Sequence, residues 1–451
     1  MADRRDDDLE SWAGGRVEPL PPPPGTFELI RRRARRRKLR RLAVSAAAAA
    51  AVAAAAVTVP QVVSLRPSPP TAQSQAGRAG PAPSATPATS RAGSAPGGAT
   101  GTAPAPGGPV PPGFRPTSVT FIGTRTGWVI GQAGTPGHCA TRYCTSMART
   151  DDAGRTWAGV PAPLAGPPAG PAGVSQVRFL NALDGWAFGP QLFATHDGGR
   201  DWTAVDTHGL RVTGLEAAGD RAFGVFASCR GGWTAYAPGC SVTLYSSPAS
   251  GDQWAPVGAA TTGLAGGTRA PLVLTGSRGY LLAPDGTLYA GPAGGGAPWQ
   301  QAGRIPCAAG QAQAGGQPAG ALLAAATAAD LVLVCAPPGG GAAPVYTSDD
   351  GGIDWHSGAA APGAAAAAAA SPAGAVVLAT SQGIDVLPAG SGGWQAAALD
   401  GQAPGGGFGY VGMTTDEQGV ALPADPAAGT VWFTFDGGLS WHPSAVAGPR
   451  G

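Results

Sequence analysis

Catalysis by a carboxylate pair, an activated nucleophile or a metal needs particular side chains, and beyond residue 113 this chain has few to spare. Its only glutamates there are Glu216 and Glu417. A glycosidase needs two carboxyls facing each other about 5–9.5 Å apart across the scissile bond. Four of the aspartates recur instead in one turn pattern, at Asp152, Asp197, Asp350 and Asp436. The histidines, His138, His196, His208, His356 and His442, do not cluster in sequence. His196 lies inside one of these turns, and His356 and His442 directly follow tryptophans, so surface turns account for them better than metal ligation. No glycine-rich phosphate loop follows a strand and opens a helix, and no Gly-x-Ser-x-Gly elbow has a strand–helix setting. The sequence therefore nominates no catalytic residue, no cofactor site and no metal site.

The turn pattern reads Ser/Thr-x-Asp-x-Gly-x-(Thr/Ser)-Trp. It occurs at Thr150, Asp152, Gly154 and Trp157, and again at Thr195, Asp197, Gly199 and Trp202 with Asp201 in the Thr slot. Two further copies stand at Ser348, Asp350, Gly352 and Trp355, and at Thr434, Asp436, Gly438 and Trp441. The carboxylate is expected to accept from backbone N–H groups about two residues on and so fold the chain back. The glycine supplies a positive φ, and the tryptophan opens the next strand with a large apolar anchor. A repeated hairpin device means a repeat fold.

This pattern resembles the Asp-box, or bacterial neuraminidase repeat, of sialidase-type and photosystem II assembly-factor-type β-propellers. The units with Val-x-Phe, then Gly-Trp-(Val/Ala)-x-Gly, then the box, look most like the assembly-factor type. The resemblance implies an all-β propeller with the boxes at its periphery and a non-catalytic docking surface; the tryptophan markers that follow make it a seven-bladed propeller of four-stranded antiparallel blades. The sialidase branch implies three substrate-binding arginines, a Tyr–Glu nucleophile pair and an Arg-Ile-Pro-type motif in the first blade. Here Phe114-Arg115-Pro116 lacks the Ile, and Arg304-Ile305-Pro306 lies in mid-domain.

The tryptophans carry the repeat further. Trp157, Trp202, Trp254, Trp299, Trp355, Trp394 and Trp441 are 39 to 56 residues apart, one four-stranded blade each. Blade three keeps Ser247 and Gly251 but has Ala249 in place of the Asp, and the turns before Trp299 and Trp394 have no box. In blade six the run Ala364–Ala370 is too featureless to assign and reads as a possible loop.

Positions ahead of the blades organise the rest of the chain. Residues 1–41 read as a disordered cytoplasmic tail ending in the basic run Arg31–Arg41. Residues 42–65 contain an uncharged stretch, Leu42–Val59, that reads as a transmembrane signal-anchor with its basic flank inside. A cleaved signal peptide is the alternative. Residues 66–113 are Pro, Ala, Gly, Ser and Thr with almost no large apolar side chain, and read as a disordered stalk. Residues 114–451 are the propeller. All six cysteines fall there and suggest three local pairs, Cys139–Cys144, Cys229–Cys240 and Cys307–Cys335, formed in an oxidising compartment, against the alternative of free buried thiols.

A net charge of +2 gives no reason to expect a nucleic-acid partner. The expected protein is a monomeric, single-pass membrane protein that holds a propeller outside the cell. It would bind an extracytoplasmic protein or a glycan through one face, without a cofactor. The loops around Gly134–Arg142 and Cys229–Cys240 are the expected contacts. An exported sialidase-like glycoside hydrolase is the alternative, to be decided by whether Arg, Asp or Glu, and Tyr gather around the central channel.

Overall fold

Seven apolar runs, each too buried to be a surface strand, form the second strands of seven blades. Leu331–Cys335, Val376–Thr380 and Gly419–Pro423 are buried at every residue, because each blade is packed between two others. The computed structural model describes residues 107–135, 138–139, 145–166, 170, 172–229, 239–307, 320–335 and 341–447. The segments expected to be a cytoplasmic tail, a transmembrane anchor and nearly all of a stalk therefore lie outside the described residues. No helix among the described residues is long and apolar enough to cross a membrane.

Blade one consists of Arg115–Phe121, Gly127–Gln132, Thr145–Thr150 and Ala158–Val160, paired in that order. Blade two is Gln176–Phe179, Gly185–Phe188, Leu192–Thr195 and Thr203–Ala204. Five more sheets follow, antiparallel except for Ala398–Leu399, which adds to blade seven parallel to Ser440–Ala445. Their first strands are Arg211–Ala218, Leu272–Thr275, Ala321–Ala325, Ala365–Ala370 and Phe408–Met413. The first strands of neighbouring blades pack on one another around the channel, and the short fourth strands form the rim. The protein is thus a seven-bladed all-β propeller.

Ala365–Ala370 corrects the sequence reading of blade six. It is the innermost strand, paired with Val376–Thr380, and not a loop. Alanine has no alternation to read, so the pattern that marks a half-buried strand is invisible. The apolar partner Val376–Thr380 sets its register. The first strands of blades one, three, six and seven each carry a register shift near their start, at Pro116/Ser118, Val212/Gly214, Ala365/Ala367 and Phe408/Tyr410. Such bulges bend the strand and re-aim its side chains.

Aromatic rings and tryptophan N–H groups join blade to blade. Trp128 of blade one stacks on Phe179 of blade two, with centroids 3.9 Å apart. The indole N–H of Trp202 in blade two donates to the Pro161 carbonyl behind blade one at 3.2 Å. Trp394 reaches the Ala359 carbonyl in the same way at 3.0 Å. Trp157 in blade one donates to Ser444 Oγ of blade seven at 3.1 Å and so closes the ring. Phe114, Val119 and Val129 share a buried cluster with Val420, Val431 and Phe433 at the same junction, and Gln418 donates to the Thr124 carbonyl at 2.8 Å.

Candidate functional site

The channel is lined by the seven first strands, and these contain a single carboxylate, Glu216. The Arg178 side chain, 16% exposed, meets it with Nε 3.0 Å from Glu216 Oε1. Alternation along Gln176–Phe179 buries Val177 and Phe179 and turns Arg178 inward. Arg178 Nη1 also donates to the Val177 carbonyl at 2.9 Å and lies 3.5 Å from Ser118 Oγ of blade one. Burial would lower the guanidinium's affinity for its proton, but the Glu216 charge and hydrogen bond raise it, so the group stays charged.

Tyr410 of blade seven completes the cluster, near enough for both charges to act on its phenol. Burial pushes this phenol up; the Arg178 charge pulls down and the Glu216 charge pushes up, with a net rise. A cavity of about 230 Å³ opens beside the ion pair, bounded by Gln176, Arg178, Thr213, Glu216, Thr268 and Arg269. On the far side of the channel, blades four, five and six present Leu, Val, Thr and Ala only. The cations come from one side because the chain has no Lys or Arg between Arg304 and Arg450. The channel thus holds one charged cluster in a largely apolar wall. Glu216 stands out in the sequence as one of two glutamates beyond residue 113; Arg178 and Tyr410 do not stand out there. The available signal was the middle position of Val177-Arg178-Phe179, which faces the channel.

The four repeated turns show one geometry. Thr150 Oγ1 donates to Asp152 Oδ1 at 2.8 Å and accepts from Gly154 N at 2.9 Å. Asp152 Oδ1 accepts from Thr156 N at 2.9 Å, and Oδ2 accepts from the Thr156 hydroxyl at 2.7 Å. In the second turn Thr195 and Asp197 are 2.8 Å apart, Gly199 N donates to Thr195, and Arg200 and Asp201 N–H groups donate to Asp197. Ser348, Asp350 and Gly352 repeat this, as do Thr434, Asp436 and Gly438. The carboxylate reaches three and four residues on, farther than the sequence suggested, and the hydroxyl ahead of it is an equal partner. Gly154, Gly199, Gly352 and Gly438 have φ of 80, 88, 90 and 97°. Burial pushes the Asp152, Asp197 and Asp436 carboxyls up, but the hydrogen bonds they accept outweigh it and hold all three low. The backbone N–H of Asp354 leads in holding Asp350 low.

These turns join third to fourth strands and lie on the face away from the cysteine loops. Cys229 and Cys240 are a disulfide between directly paired strand residues, Cα atoms 4.2 Å apart. Cys307 and Cys335 form a second, with Cα atoms 5.5 Å apart. The Cys139 and Cys144 side chains lie outside the described residues, as do most of the two loops expected to make contacts. His196 bridges blades two and three, with Nδ1 2.9 Å from Asp184 Oδ1 and Nε2 3.4 Å from Asp252 Oδ2. Among the described residues no group of three or more His, Cys, Asp or Glu could hold a metal ion.

No family model matches the chain, and no curated protein matches it. Solved structures do. A structure of YCF48 bound to D1 peptide is 17% identical, with a TM-score of 0.48 over 72% of this chain and 95% of that one. YCF48 from Cyanidioschyzon merolae is 15% identical, with a TM-score of 0.41 over 59% of this chain and 82% of that one. An ancestral GH74 enzyme is 15% identical, with a TM-score of 0.48 over 76% of this chain and 47% of that one. The seven sheets establish the propeller fold on their own.

Proposed function

We propose that this chain is a membrane-anchored, extracytoplasmic propeller of the Asp-box type that binds a protein or glycan without transforming it. One observation carries the non-catalytic part. The only carboxylate on the channel strands, Glu216, is already held by Arg178, whereas glycoside hydrolysis ordinarily engages two. The basic run Arg31–Arg41 ahead of the uncharged Leu42–Val59 supports the anchor, and two disulfides support an oxidising compartment. A rigid disc with loops at its faces suits recognition.

The same cluster favours a second reading, a sialidase-like hydrolase using Tyr410 with Glu216. A nucleophilic phenol must lose its proton to an adjacent base, and Glu216, the carboxylate that would take it, is bonded instead to Arg178 Nε at 3.0 Å. Binding is therefore the better reading. The full chain, solubilised from membranes with its disulfides intact, is to be screened on a glycan array and by cell-surface cross-linking. Capture of a glycan or one cross-linked protein partner supports the proposal. Fractionation of the chain with the cytosol would remove its anchored, extracytoplasmic part.

A further inference from the structure

The third-to-fourth-strand turn of blade four lacks a box. The turn Ala293–Pro298 is built from Gly, Pro and Ala, with no Asp or hydroxyl side chain, and the Arg221 side chain of blade three packs on it at Gly295. A cleft of about 560 Å³ opens there, between blade four and the Ala328 loop of blade five. That volume lies within the roughly 300–1,000 Å³ typical of small-ligand sites. Ser277, Arg278, Pro298, Gln300, Gln301 and Ala328 line it.

The lining has one kind of chemistry. Arg278 presents its guanidinium 5.6 Å from the Tyr280 ring centroid, an arrangement that orients a donor fork. Tyr280 is itself fixed by donating to the Ala328 carbonyl at 2.6 Å. Gln300 and Gln301 are exposed on the rim strand Gln300–Arg304 and offer carboxamides that both donate and accept. Ser277 adds a hydroxyl, and Pro298 and Ala297 add C–H surface. No carboxylate and no thiol lines the cleft. Paired donors and acceptors beside flat aliphatic surface match a chain of vicinal hydroxyls on pyranose rings.

We infer that the cleft on blade four, bounded by Arg278, Gln300 and Gln301, is a binding site for a neutral oligosaccharide, separate from the channel cluster. The inference rests on the proposed binding function and names its ligand class. Guanidinium and carboxamide groups would bond adjacent hydroxyls while the proline and alanine surface meets the ring C–H face. The sugar is bound and not cleaved, since no carboxylate lines the cleft to protonate a leaving group.

The test is titration of the full chain with maltohexaose, cellohexaose and chitohexaose, followed by ligand-observed NMR. One of these should bind. Arg278→Ala combined with Gln301→Ala should weaken it at least tenfold, and Ala297→Trp, which fills the cleft from an exposed turn, should do the same. Arg200→Ala, an exposed change in the blade-two turn, should leave the affinity unchanged. All variants must retain the wild-type unfolding midpoint. Binding that survives both cleft variants would overturn the blade-four site and leave the binding function standing. If none of the sugars binds while a protein partner is captured by cross-linking, the ligand class is overturned and the proposed function survives. If neither is found, both fall.

Discussion

Blades five and four are neighbours with the same four strands, yet they secure the last hairpin differently. In blade five Asp350 and Ser348 tie the turn with hydrogen bonds, and Trp355 stays half-buried. In blade four no side chain ties the turn, and Trp299 is fully buried. Gly279 and Gly291 make the room for that ring. A Cβ on either would sit 2.3 or 2.1 Å from it. Trp299 also meets Phe223 of blade three at 5.3 Å. The hairpin can therefore be held by polar bonds in the turn, by a ring sunk beneath it, or by both, as in blade seven, where the Thr434–Asp436 box goes with a fully buried Trp441. Blade four relies on the ring, and the cleft lies beside its turn.

Trp299→Ala is the strongest way to break this contrast. It should cost about 3–5 kcal/mol, and Trp355→Ala distinctly less, because its ring is only partly out of water. Equal shifts in the urea midpoint would mean the two blades are secured alike. Gly291→Ala should cost about 1–3 kcal/mol by overpacking against Trp299. Gly294→Ala in the same turn meets nothing within 4 Å, so its unfolding midpoint should barely move.

Asp436→Ala removes a carboxylate that accepts from Ser440 N at 2.9 Å and from its hydroxyl at 2.6 Å. About 1–2 kcal/mol should be lost at neutral pH. The folded carboxyl is held below its usual value, so its contribution is present above about pH 4 and disappears as pH falls through the folded value. Wild type and variant should converge in acid unfolding series. His196→Gln should give the smallest effect, about 0.5 kcal/mol for a partly exposed pair. Burial would push this imidazole down, but Asp184 and Asp252 raise it. Its contribution is complete below about pH 6.5 and lost as pH rises through the raised value. Thermal midpoints at pH 5.5 and pH 9 check that sign.

The boxes made the fold legible because each one needs particular residues at fixed offsets. Thr150, Asp152 and Gly154 could be read as a turn without knowing what surrounded them. The tryptophan spacing then carried the count through blades three, four and six. Ala365–Ala370 stayed illegible because its strand character comes from its partner. The channel cluster was illegible for a related reason. Arg178, Glu216 and Tyr410 sit on blades two, three and seven, and only ring closure brings them together. The blade-four cleft was hidden because it follows from side chains the turn lacks.

Hydrolysis of a panel of fluorogenic glycosides, including a sialoside, by the full chain and by Glu216→Gln tests the central claim most directly. The account predicts no turnover above background for either protein. Turnover by the wild-type chain that Glu216→Gln abolishes would contradict it and make the channel cluster an active site.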